Sequence, residues 1–160
     1  MGPATVAAFA AAVLALSSPA SAAKNEVQIT KLTDVAFGSI SNVSADTTRA
    51  QNVCIYSGTA TSGYNVKATG SGTGNAFTLD NGGLTLAYDV QWSATSGQTV
   101  GASLTPNSTL GGLTTGAKNA GCTAAPTTTA SLIVIVRSAA ASTATAGVYG
   151  GTLTLIFGPE

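Results

Sequence analysis

The stretch Ala146-Gly147-Val148-Tyr149-Gly150-Gly151-Thr152-Leu153-Thr154-Leu155-Ile156-Phe157-Gly158-Pro159-Glu160 decides how this chain is read. Its glycines supply turns, and the run behind them alternates. Leu153, Leu155 and Phe157 point one way and Thr152, Thr154 and Ile156 the other, which is the period of two of a β-strand. The sequence then closes with Gly158, Pro159 and Glu160. No later strand follows to pair with this one, so one of its edges is expected to need a partner. An open apolar edge is either an aggregation hazard or a device for assembly.

The 160 residues are 44% hydrophobic, enough for one domain with its own core. Only 8% are charged, six basic against six acidic, which leaves no electrostatic footprint for nucleic acid or an anionic membrane. The chain has no histidine, and so lacks the commonest general base and the commonest metal ligand. Its two cysteines cannot build a zinc site unaided, because no further ligand cluster accompanies them. Neither a metal nor a cofactor is expected. The acidic residues Glu26, Asp34, Asp46, Asp80, Asp89 and Glu160 are scattered, with Asp80 in a turn and Asp89 on a wet strand face, so the chain does not read as an enzyme.

Ala4 to Leu16 is an apolar run followed by Ser17-Ser18-Pro19 and Ala20-Ser21-Ala22, the pattern of a secretory signal peptide over residues 1–22 with a mature domain over 23–160. The run is shorter than the roughly 20 residues that span a bilayer, so no membrane insertion is expected after cleavage. In an exported chain, Cys54 and Cys122 are expected to form one disulfide; neither sits in a motif that would make it reactive.

Between these landmarks the sequence reads as seven or eight strands. A first strand runs through Val27, Ile29, Val35 and Phe37, and Asn42 to Asn52 is a loop. Short strands follow at Val53 to Tyr56 and at Tyr64, Val66 and Ala68, and the Gly70 to Asn75 run connects strands, since no helix follows it as a phosphate-cradling loop requires. Asp80-Asn81-Gly82-Gly83 is a hairpin turn whose return strand buries Leu84, Leu86, Tyr88, Val90 and Trp92 on one face. Ser93 to Ala130 is a long polar region with one or two short strands. Leu132 to Val136, β-branched and apolar on both faces, is a central strand, and Arg137 to Thr145 is a linker with one helical turn. The spacing predicts an all-β sandwich.

The blocks Val35-Ala36-Phe37-Gly38, Val53-Cys54-Ile55-Tyr56-Ser57, Gly63 to Gly72, Leu86 to Trp92 and Ala146 to Leu155 together resemble the spore coat U domain family, which includes subunits of archaic chaperone-usher pili. The resemblance implies an immunoglobulin-like, pilin-like sandwich lacking its final strand. A periplasmic chaperone lends a strand to the gap, and the N-terminal extension of a neighbouring subunit replaces it in the fibre after passage through an outer-membrane usher. It implies an acceptor groove lined by Val35 and Phe37 from the first strand and by Leu153, Leu155 and Phe157 from the last, and a Glu160 carboxylate that anchors on basic chaperone residues. Val27 and Ile29 are the only candidates for a donor segment, since about a dozen residues separate Ala23 from Val35. Two departures stand out: the family's first-strand cysteine is missing, and Cys122 lies in the long loop instead. The expected function is a structural subunit of a secreted fimbria, exported through the periplasm to the cell surface and tip-like if it accepts a strand without giving one. The alternative is a stand-alone secreted adhesin that binds a surface through the Ser93 to Ala130 region.

Overall fold

The computed structural model describes residues 25–160, so the expected signal peptide, residues 1–22, lies outside the described residues. Ten strands and one short helix follow in order: β1 (Val27–Thr30), β2 (Thr47–Ser57), β3 (Gly63–Gly70), β4 (Thr78–Asn81), β5 (Leu84–Ala87), β6 (Asp89–Ser93), β7 (Ala102–Ser103), β8 (Thr109–Thr114), β9 (Ala130–Val136), α1 (Ser138–Ala141) and β10 (Leu153–Pro159). They form a five-stranded sheet β1-β2-β9-β6-β7, a three-stranded sheet β10-β3-β8 and the hairpin β4-β5. Every paired strand is antiparallel. The chain is an immunoglobulin-like β-sandwich.

The core fills the space between the two larger sheets. Val53 and Ile55 of β2, Val90 and Trp92 of β6, and Leu132, Val134 and Val136 of β9 meet Tyr64, Val66 and Ala68 of β3. Alternation along each strand selects these residues. The deepest contact is polar at its centre: the Trp92 indole N–H donates to the Tyr64 hydroxyl at 3.0 Å, so two large aromatic side chains are buried without stranding a polar atom. Burial pushes the Tyr64 hydroxyl above its ordinary pKa, and the bond from Trp92 pulls the other way.

β9 is fully buried and lies between β2 and β6, as its unbroken apolar run predicts. The β4-β5 hairpin also forms as expected. Asn81 pairs with Leu84, and the two residues between them, Gly82 and Gly83, have φ values of 59° and 94°. That conformation suits glycine and selects a tight two-residue turn. The disulfide joins Cys54 to Cys122 across 68 residues. Cys54 lies between Val53 and Ile55, so its side chain leaves the opposite face of β2 and holds the long loop there.

Several expectations need correction. The first strand ends at Thr30 rather than running to Phe37, because Lys31 turns to a φ of 66° and the residues after it leave the ladder. Thr47 to Asn52 is not loop but the first half of β2, paired residue for residue with β9. The Leu84 to Trp92 run is two strands: β5 pairs with β4, β6 pairs with β9 and β7, and the chain changes sheet at Tyr88. Leu84 itself remains 45% exposed at the hairpin end, while Leu86, Tyr88, Val90 and Trp92 are buried.

Candidate functional site

β10 pairs with β3 from Leu153 opposite Gly70 to Pro159 opposite Tyr64. Among the described residues, no strand pairs with its other edge. The parity of that edge follows from the ladder. Glu160, opposite Gly63 in the same register, donates its N–H to the Gly63 carbonyl at 3.2 Å. In an antiparallel pair, alternate residues turn both backbone groups to the same neighbour. Thr154, Ile156 and Gly158 therefore face β3, and Leu153, Leu155 and Phe157 aim their N–H and C=O groups outward. The far side of β3 agrees, since the Ala68 carbonyl, opposite Leu155, accepts from Asn107 N–H at 2.8 Å. Pro159 falls in the outward set, where its missing N–H ends the open edge.

Beside this edge lies a groove of about 970 Å³. Leu132, Val134 and Val136 of β9 form its floor, joined by Leu79, Leu86 and Tyr88 from the hairpin region. Leu153 and Leu155 make one wall and the segment Leu32 to Ile40 the other. Burial raises the Tyr88 hydroxyl above its ordinary range. Asp34 is the one charged residue of the lining.

The Leu32 to Ile40 wall acts as a strap across the mouth of the sandwich. It is held by side chains reaching from β2 in place of a backbone ladder. Arg49 donates from Nη2 to the Phe37 carbonyl at 2.9 Å and from Nε to the Ala36 carbonyl at 3.2 Å. Gln51 accepts from Thr33 N–H at 2.9 Å and donates to the Thr33 carbonyl at 3.0 Å. Spacing two apart on β2 puts Arg49 and Gln51 on one face, so they grip the strap at two points.

The expected site residues divide. Val35 and Phe37 line the groove, though from the strap rather than a first strand, and Leu153 and Leu155 line the facing wall. Phe157 does not line the groove: its ring lies 5.3 Å from that of Trp92 and 6.4 Å from that of Tyr64, plugging the sandwich beyond it. Val27 and Ile29, the donor candidates, are paired with Ser57 and Ile55 and pack on the domain's own core, so donation would require β1 to detach. Glu160 is tied down as well, its carboxylate accepting from Gly112 N–H at 2.6 Å and its backbone carbonyl from the Thr61 hydroxyl at 2.9 Å. The grip of Arg49 and Gln51 left no strand signal in the sequence, because Thr47 to Asn52 is polar at every position but Ala50.

Away from the groove, Arg137 bridges Asp89 at 2.6 Å and Asp46 at 2.8 Å, and Ser138 N–H donates to Asp46 at 2.8 Å. The Ser138 amide first, and then Arg137, hold the Asp46 carboxyl below its usual range. The two carboxylates join the start of β2, the start of β6 and the end of β9 at the surface.

No family model and no curated protein matches the chain. Among solved structures, it is similar to one chain of a chaperone–tip adhesin complex of CFA/I fimbriae biogenesis, with a TM-score of 0.53 and 15% identity over 86% of this chain and 43% of that one. The chain thus spans less than half the length of that relative, and at this identity the likeness is one of fold: it shares its β-sandwich with a chain of a fimbrial chaperone–adhesin assembly.

Proposed function

We propose that this chain is a structural subunit of a secreted fimbria of the kind the spore coat U domain resemblance implies, whose incomplete sandwich is finished by a strand from another polypeptide. A periplasmic chaperone supplies that strand first, and a neighbouring pilus subunit replaces it after delivery to an outer-membrane usher. The observation that carries this reading is the edge of Leu153, Leu155 and Phe157, unpaired among the described residues, beside an apolar groove floored by the core residues of β9. The fold shared with a chain of a chaperone–tip adhesin complex supports it, and the Cys54–Cys122 disulfide fits an exported chain. Val27 and Ile29 are engaged in β1, which favours a subunit that accepts a strand, as a tip subunit does.

The reading is of an assembly protein and not an enzyme. Asp46 and Asp89 are engaged with Arg137, Asp80 accepts from Gly83 N–H in the hairpin turn, and Glu160 caps Gly112, so these carboxylates have structural partners.

The test is thermal unfolding of the purified protein with and without a peptide of alternating Val and Thr. A peptide at one hundred times its dissociation constant is expected to raise Tm by about 5–10 °C. A Tm unmoved by any alternating peptide would overturn the proposal.

A further inference from the structure

Within the strand-accepting reading, on which this inference rests, the groove also states which strand it takes. Three outward residues of β10, with Pro159 closing the row, offer a short run of backbone bonds that any extended segment could make. Selection must therefore come from side chains. The lining is apolar or neutral at every position except Asp34, which sits on the strap between Thr33 and Val35. Asp34 is exposed, and among the described residues it makes no hydrogen bond or ion pair, whereas Asp46, Asp80, Asp89 and Glu160 each have a partner within the domain. A lone carboxylate on the rim of a neutral groove favours an incoming chain with a cation at the matching position and disfavours one with an anion there.

We propose that the groove accepts an extended segment of a partner polypeptide with uncharged, alternately apolar residues along its length and one Lys or Arg placed to meet Asp34, so that Asp34 sets the register of the bound strand.

The test uses the full chain and synthetic peptides of alternating Val and Thr, in which a single Lys, Gln or Glu is moved stepwise along the sequence, with binding followed by fluorescence anisotropy. Lys at one position is expected to bind about two- to fivefold tighter than Gln at low salt, with Glu weaker than Gln, as for an exposed ion pair. The Lys preference is expected to vanish in Asp34→Asn and to pass to the Glu peptide in Asp34→Lys, and to fade at high salt as screening shortens the reach of the charge. Asp34 is exposed, so both variants should keep the wild-type Tm. Equal binding of Lys, Gln and Glu peptides at every position would overturn the role of Asp34 while leaving strand acceptance intact. Failure of all peptides to bind, or a dimer through β10 that excludes them, would overturn both.

Discussion

β9 and β10 are each seven residues long and carry aliphatic side chains, yet the molecule treats them in opposite ways. β9 has β2 on one side and β6 on the other, and every residue in it is buried. Among the described residues β10 has β3 alone, its inward residues are only half-buried, and Ile156 on its outer face is 50% exposed. The difference lies in what covers the strand rather than in how apolar it is. Around β9 the sandwich is complete; beside β10 it ends on three residues whose backbone groups have no partner among the described residues. That local incompleteness in an otherwise well-packed domain is what makes assembly by strand addition the natural reading.

The contrast can be broken in graded ways. The closed side is also the cross-linked side, so removing the disulfide in a Cys54→Ala, Cys122→Ala double variant should have the largest effect, a loss of about 4 kcal/mol in urea unfolding for a loop of this length. A loss near zero would mean that the long loop contributes little to the closed half. Next, Leu132→Ala in β9 is expected to cost about 3 kcal/mol and Leu155→Ala in β10 about 1 kcal/mol, because the first leaves a cavity and the second trims a side chain that already faces an open groove. Equal costs in the free protein would show that β10 is packed as fully as β9. Smallest, Arg49→Ala releases the Ala36 and Phe37 carbonyls of the strap and, at this exposed position, should cost about 0.5 kcal/mol, with faster proteolysis within residues 32–40. Unchanged proteolysis would mean that Gln51 and the packing of Val35, Phe37 and Ile40 hold the strap without Arg49.

Much of this architecture was legible in the residues. The glycine pair at 82 and 83 specified its turn, the aliphatic run of β9 announced a doubly covered strand, and the alternation of β10 correctly divided Leu153 and Leu155 from Thr154 and Ile156. The failures share a physical cause. Thr47 to Asn52 looked like a loop because its side chains are polar, but strand pairing with β9 is made by the backbone, and those side chains serve the strap and solvent. Val35 and Phe37 kept the parity of a first strand, yet Lys31 breaks the ladder with a backbone conformation that its side chain does not advertise. Phe157 shared parity with Leu153 and Leu155, but parity gives a face and not a position along the strand, and its end of β10 lies over Trp92 and Tyr64 rather than beside the groove. The bond of the Glu160 carboxylate to Gly112, 48 residues away, left no local pattern in the sequence.

Amide hydrogen exchange along β10 tests the central claim most directly. In the isolated protein, the amides of Thr154, Ile156 and Gly158 should be protected by β3, while those of Leu153, Leu155 and Phe157 exchange quickly and become protected when an alternating peptide is added. Slow exchange at Leu153, Leu155 and Phe157 before any peptide is present would mean that the chain already covers its own edge, and the account of an unfinished sandwich would be contradicted.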